Sequence, residues 1–333
     1  MSELAKYEAM SAFGMPNHGN SCFLNAALQA LVLTPQFREA VRDNAAFCRR
    51  TSVGAALAAV VASVPPDAGA VRRLHDSIHA ALRARGAAED FRPGRQQSAS
   101  ELVTQLLSLL DPPGPPPRAP RPGDDPQPTA ERNLVVDDAL LARFREVFRC
   151  SCGHTWHRTD TSVITSIAHL YTRNNRAHFV ASPGQKPEQF LGGELLFRDT
   201  DPADPASFAH ALRVQVEEVE VRHGTCPHRR ARRARMLTLA PRLLVLALPA
   251  YAAYGQRRAP PGGWPLPRVV PLGPFVYHLV GRVAHGGGLA GGHYTAAVLR
   301  AGGWRHISDA SVSPGTPTGP GTYLAVYVRT SQK

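Results

Sequence analysis

Residues 14–33 read GMPNHGNSCFLNAALQALVL, and this stretch constrains the fold more tightly than any other. A turn-forming run, Pro16-Asn17-His18-Gly19-Asn20, leads to Ser21-Cys22 and then to apolar residues at helical spacing. Leu24, Ala27, Leu28 and Leu31 fall at i, i+3, i+4 and i+7, one face of an α-helix. Ser21 suits the N-cap position, and Pro35 lies just past the other end. The spacing therefore predicts a helix whose first turn holds Cys22. There, unpaired backbone N–H groups and the helix dipole favour a thiolate over a thiol. A cysteine so placed is a candidate nucleophile, although a small apolar core residue would satisfy the local pattern equally well.

A second cluster lies far downstream. The chain reads His285-Gly286-Gly287-Gly288-Leu289-Ala290-Gly291-Gly292-His293-Tyr294, and later Trp304-Arg305-His306-Ile307-Ser308-Asp309. A cysteine near the start, a histidine far behind it and a polar partner beyond is the chain order of papain-like cysteine hydrolases. Residues 14–33 and 286–294 together resemble the Cys box and His box of the ubiquitin-specific proteases. The first box of that family reads roughly G-L-x-N-x-G-N-T/S-C-[FY]-x-N-x-x-L-Q.

The resemblance implies an α+β, papain-like cysteine protease fold with a helical thumb, a β palm and β-ribbon fingers. The expected division is an N-terminal extension over 1–13 and a catalytic domain over 14–330. Within it, 14–148 is the thumb, with a Pro-rich insert at 111–128; 149–235 is the fingers, and 236–330 the palm with the His box. The implied activity is thiol-dependent hydrolysis after the C-terminal glycine of ubiquitin. Cys22 is then the nucleophile, His293 the general base, and Asn17 a side-chain donor to the oxyanion. Family members carry Asp or Asn four residues after the tryptophan equivalent to Trp304, often followed by Asp. Here those places hold Ser308 and Asp309, so either could orient His293, with Asp309 the stronger electrostatic contributor. The departure also leaves open a catalytically weak relative that binds ubiquitin without efficient cleavage.

Gln96-Gln97-Ser98-Ala99-Ser100-Glu101-Leu102 resembles the family's Q-Q-D-A-x-E-[FL] box, with Ser98 in place of aspartate. The resemblance gives Glu101 a role in holding arginines of the substrate tail. The residues themselves also read as a capping box, Ser98 with Glu101 three positions on. Gly292 and the glycines before it suit a narrow channel for a Gly-Gly tail, with Tyr294 packing beside the site. Cys150-Ser151-Cys152 and His223-Gly224-Thr225-Cys226 lie where the family often carries two Cys-x-x-Cys pairs. Cys150, Cys152, His223 and Cys226 are accordingly the candidate ligands of a structural Zn²⁺, the alternative being a metal-free ribbon. The chemistry itself requires no cofactor.

Composition bounds the remainder. A chain of 333 residues that is 43% apolar can bury a large core. It has no apolar run of about 18 residues and no signal-peptide pattern at its start, so no membrane association is expected. Five cysteines without a secretory signal suit a reducing, intracellular setting, cytoplasm or nucleus. Net charge is +12, yet no nucleic-acid motif accompanies it. The cluster Arg229, Arg230, Arg232, Arg233 and Arg235 reads as a solvated loop. A monomer acting on ubiquitin or ubiquitinated proteins is the expectation.

Periodicity predicts helices at 36–41, 53–63, 71–84, 101–110 and 137–148. His75 and His79 fall on the flank of the third, as surface or rim residues. From Cys150 the texture turns to strands, notably 236–248, 276–283, 293–299 and 322–329.

Overall fold

A computed structural model of the chain describes residues 2–86, 98–111, 134–166, 177–179, 197–199, 203–220, 230–248, 263–288 and 291–331. Two compact units are present. The first comprises 5–139 and 280–317; the second comprises 140–279 and 318–333, with 2–4. Part of the Pro-rich insert, from 112 on, lies outside the described residues, as do His223, Cys226 and Arg229.

The helices in chain order are α1 (Glu3–Glu8), α2 (Cys22–Ala27), α3 (Pro35–Asp43), α4 (Ala45–Cys48), α5 (Ser52–Ala62), α6 (Ala68–Ala84), α7 (Ala99–Ser108), α8 (Leu134–Ala139) and α9 (Pro205–Arg213). The strands are β1 (Ala142–Cys150), β2 (Thr155–Ser162), β3 (Thr165–Ser166), β4 (Ala177–Phe179), β5 (Phe197–Asp199), β6 (Val214–Glu220) and β7 (Arg230–Leu239). They continue with β8 (Leu243–Ala247), β9 (Val269–Leu272), β10 (Phe275–Gly288), β11 (Gly291–Arg300), β12 (Gly303–Ser308), β13 (Ser311–Pro314) and β14 (Thr322–Ser331).

The first unit is built around α2. All six of its residues are buried, because β11 covers one side and α7 packs against another. A helix apolar over most of its circumference has this need to be enclosed. Beyond Ala27 the helix widens into a π turn, Leu28–Val32, closed by the Leu33 N–H donating to the Leu28 carbonyl. That turn also packs on β11. The 71–84 pattern holds in α6, where Val71, Leu74, Ile78 and Leu82 are all buried. Several helices start on side-chain caps: Thr51 accepts from Gly54, Asp67 from Ala70 and Ser98 from Glu101. The unit's strands run in the order β13-β12-β11-β10, all antiparallel.

Three expectations for these helices need correction. Ser21 stands before α2 but caps nothing with its side chain; its backbone (φ −85°, ψ 11°) is outside the extended region a cap requires. Its hydroxyl accepts from the His18 N–H instead. His79 is not a rim residue: it is buried, with its Nε2 3.0 Å from that of His75. Burial first, and then His79, push the His75 imidazole below its usual range. Finally, 137–148 is not one helix. α8 ends at Ala139, and the alternating pattern from Ala142, buried at 142, 144, 146 and 148, takes over as β1.

The second unit holds a four-stranded antiparallel sheet, β2-β1-β7-β6, with Val147, Val214 and Ala234 at its apolar centre. α9 packs on β9, which pairs with the start of β10, and β14 pairs with β8. The predicted strand at 236–248 is broken around Pro241, which has no N–H to give a ladder. Of the arginine cluster, Arg230, Arg232, Arg233 and Arg235 lie in strand β7 rather than in a loop. Glu146 is fully buried on β1 and receives Arg158 (2.8 Å), Arg233 (3.2 Å) and Arg235 (3.4 Å) from both neighbouring strands. Arg235 also reaches Asp160 at 2.8 Å and lies 3.4 Å over the Phe144 ring.

Removing one partner of a buried ionic cluster leaves the others uncompensated. Glu146→Ala is expected to lower unfolding free energy by about 3 kcal/mol, read as a reduced urea midpoint. A midpoint unchanged from wild type would show the three arginines to be solvated without Glu146.

Candidate active site

Cys22 opens α2 and is buried, at 3% exposure. The loop before it is shaped by its own polar groups. Asn17 Oδ1 accepts from the Ser21 N–H at 2.9 Å, and Gly19 and Asn20 turn the chain at φ 67° and 64°. Glycine and asparagine are the residues that tolerate that left-handed region. This loop is anchored to the turn after β12. The Met15 N–H donates to the Asp309 carbonyl at 2.9 Å, and Asn17 Nδ2 donates to Asp309 Oδ2 at 2.9 Å. Gly14 makes the approach feasible, since a Cβ there would run into the Ala310 carbonyl.

His293 lies on β11, whose partner β12 ends at Ser308. The β11–β12 register brings His293 Nε2 to 2.9 Å from Ser308 Oγ and 3.9 Å from Asp309 Oδ2. Asp309 has φ 49°, a conformation Asp enters more readily than most residues. On the same face of β12 as Ser308 lies His306. Burial, followed by Arg282 and His293, pushes its imidazole below the usual range, toward the neutral form.

The structure thus gathers Asn17, His293, Ser308 and Asp309 through short polar contacts, and packs the helix of Cys22 on the strand of His293. Tyr294 lies elsewhere. It pairs with His285 across β10 and β11, their rings 4.3 Å apart, on the strand face opposite His293. A Cβ on Gly292 would meet the Gly286 carbonyl and the His285 imidazole, so His285 fills the space beside that glycine. Glu101 is exposed on α7, its N–H bonded to Ser98 Oγ at 3.3 Å. Cys150 is buried and Cys152 exposed at a hairpin where Gly153 donates to the Cys150 carbonyl. The other two candidate ligands fall outside the described residues. Among the described residues no group of three His, Cys, Asp or Glu side chains is placed to hold a metal ion.

Two residues of the Cys box were given no role by the sequence reading. Asn25 and Gln29 follow Cys22 at i+3 and i+7, on one helix face, and both are buried. Asn25 Nδ2 donates to Asp309 Oδ1 at 2.8 Å and to the Pro16 and Met15 carbonyls at 3.1 and 3.3 Å. Gln29 Nε2 donates to the Phe13 carbonyl at 2.8 Å. The available signal was two amides inside an otherwise apolar run, because buried polar groups require partners.

Comparison with known proteins follows the same line. A sequence model described as ubiquitin carboxyl-terminal hydrolase matches residues 13–327. A human protein named ubiquitin carboxyl-terminal hydrolase 17-like protein 23 is 30% identical over 100 residues, which are 29% of this chain and 51% of that protein. The chain thus matches about half the length of that curated relative. Among solved structures, the SAGA Ubp8/Sgf11/Sus1/Sgf73 DUB module bound to ubiquitin aldehyde aligns with TM-score 0.61 at 16% identity. The alignment covers 98% of this chain and 71% of the other. A variant of that module bound to monoubiquitin aligns with TM-score 0.60 at 16% identity, over 100% and 71%. These likenesses show the papain-like fold of ubiquitin-specific proteases.

Gly14→Ala tests the loop anchoring. Overpacking typically costs about 1–3 kcal/mol, so the variant should melt at lower temperature. Its Cys22 should also alkylate more slowly with iodoacetamide, as mapped by mass spectrometry. Unchanged melting and alkylation would show that the loop does not depend on close approach to Ala310.

Proposed function

The chain belongs to the ubiquitin carboxyl-terminal hydrolase family, and from that premise we propose that it is a thiol-dependent deubiquitinase. Its substrate is a protein or peptide joined to the C-terminal glycine of ubiquitin. The observation that carries this reading is the contact chain from the Cys22 loop through Asn17 and Asp309 to Ser308 and His293.

In the proposed mechanism the Cys22 sulfur attacks the carbonyl carbon of the terminal glycine. Because His293 Nε2 faces Ser308, Nδ1 is the nitrogen assigned to take the thiol proton and return it to the leaving amine. The acyl-enzyme is then hydrolysed by water activated through the same nitrogen. Asn17 uses its oxygen on the Ser21 N–H and one amide hydrogen on Asp309, leaving its second amide hydrogen for the oxyanion, with the Cys22 N–H as a further donor. Glu101, exposed on the helix packed against α2, pairs with an arginine of the substrate tail. Gly292 borders the tail channel. Cys150, Cys152, His223 and Cys226 remain the proposed Zn²⁺ ligands, structural rather than chemical in role. Among the described residues no helix is long and apolar enough to cross a membrane.

One observation favours a second reading, a ubiquitin-binding protein with weak turnover. The direct partner of His293 is a hydroxyl, which stabilises an imidazolium less than a carboxylate in the same place.

Incubation with a ubiquitin bearing a C-terminal electrophile is expected to give one covalent adduct, at Cys22, absent in Cys22→Ala. On a fluorogenic ubiquitin substrate, Asn17→Ala should lower kcat by about 10²–10³-fold, and Ser308→Ala by about tenfold. Adduct at another cysteine, or none, defeats the proposal. Measurable ubiquitin affinity without turnover decides for the second reading.

A further inference from the structure

We propose that Asn25 is a positioning residue that fixes the Asp309 carboxylate beside His293, so that Ser308 makes the direct contact while Asp309 supplies charge from a set distance. This inference rests on the thiol-hydrolase reading of the site. It begins from the surroundings of one nitrogen. Asn25 Nδ2 faces three oxygens: Asp309 Oδ1 at 2.8 Å, the Pro16 carbonyl at 3.1 Å and the Met15 carbonyl at 3.3 Å. That environment fixes the amide's orientation, because turning it over would set Oδ1 against all three.

The orientation has a cost. Among the described residues the buried Asn25 Oδ1 has no hydrogen-bond partner, an arrangement rare enough in folded proteins to require a reason. Packing alone would be served as well by leucine, which has a similar shape and no orphaned oxygen. What leucine lacks is a donor to Asp309.

The two oxygens of Asp309 are divided between two amides. Oδ2 accepts from Asn17 and lies 3.9 Å from His293 Nε2, while Oδ1 accepts from Asn25. With both held, the carboxylate can neither rotate inward to displace Ser308 Oγ nor swing out to solvent. Asn25 is itself rigidly mounted, buried on α2 three residues after Cys22. The helix that carries the nucleophile therefore also sets the partner of the base.

Two variants of the full chain test this. Asn25→Leu keeps the shape and removes the donor, and is expected to lower kcat on a ubiquitin substrate about 10- to 100-fold with KM nearly unchanged. Asn25→Asp places a second carboxyl against Asp309. Two such groups at hydrogen-bond distance both ionise only at raised pH, so the pair retains a proton that restores the missing donor at low pH and loses it as the pH rises. The titratable groups nearby are His293 facing Asp309, His306 coupled to His293 and Arg282, Cys22 on the same helix and His18 in the loop. All are shared with wild type, so the ratio of variant to wild-type kcat isolates the new pair. That ratio should be highest near pH 6 and fall at least tenfold by pH 8.

Wild-type kcat in both variants, or a ratio flat with pH, overturns the proposal. So does Asn25→Asp that is as unfolded by circular dichroism at pH 6 as at pH 8, since the residue is then structural. Iodoacetamide labelling of Cys22, located by mass spectrometry, reads the same pH ratio without ubiquitin. If that ratio appears while wild type ignores the ubiquitin electrophile, the deubiquitinase reading fails and the positioning role stands.

Discussion

The turn at Asp309 is where the two ends of the first unit are joined. Asn17 reaches it across 292 positions and Asn25 across 284, and the Met15 N–H bonds its carbonyl. Hydrogen bonds of this kind are worth about 0.5–1.5 kcal/mol each in net terms, too little to close so long a loop unaided. Closure comes from burial: Phe23, Leu24, Leu28 and Leu31 are within 2% of full burial, and α2 and its π turn both pack on β11. Apolar burial is non-directional. It brings helix and strand together but does not specify which loop residue meets which turn residue. The polar contacts at Asp309 do that, and they anchor the loop preceding Cys22.

The same division explains what could be read from the sequence. The apolar positions of α2, α6 and α7 repeat at helical spacing and are buried as the spacing requires. The Ser98 cap was equally local, and the α+β papain-like fold of the family followed from two short motifs. Features that depend on distant partners were less legible. Residues 137–148 carry apolar side chains at intervals compatible with either period. Pairing with β2 and β7 decides for a strand from Ala142. Arg233 and Arg235 looked like solvated charge because Glu146 lies 87 residues from the first of them. Asn25 and Gln29 lay in plain view, but their function depends on carbonyls and a carboxylate that only the fold brings near.

The π turn has a comparable dependence. Its wider winding accompanies a second contact between the chain's ends, in which the buried Arg300 donates to the Gln29 carbonyl at 3.0 Å and to the Leu299 carbonyl at 2.8 Å. Burial pushes the Arg300 guanidinium down to about 10, with Tyr7 acting in the other direction, so it remains charged at neutral pH. Carbonyl oxygens take the place of a carboxylate as its acceptors. At the neighbouring strand Gly281 gives the turn room: a Cβ would stand 2.9 Å from the Ala30 carbonyl. π turns are rare, occur mostly as single turns within α-helices, and are frequent at functional sites. Here the turn directs a backbone carbonyl to Arg300 while the Gln29 side chain holds Phe13. Arg300 and Asp309 therefore hold the helix of Cys22 at two points, one through the Gln29 carbonyl and one through the Asn25 amide.

With a serine nearest to His293, the balance between hydrogen bonding and charge decides how the ring would be held in the proposed mechanism. A hydroxyl contact contributes about 1 kcal/mol in net terms and little preference for the imidazolium. A carboxylate near 4 Å in a partly solvated setting interacts with a positive ring by about 4 kcal/mol before further screening. His293 is 44% exposed and Asp309 16%, so solvent screens much of that interaction. Charge falls off slowly with distance, whereas a hydrogen bond is lost within a few tenths of an ångström. A residue that orients can therefore be exchanged for serine, provided the carboxylate next to it cannot move. That condition makes the amides on Asp309 part of the proposed catalytic arrangement, although neither need touch the histidine.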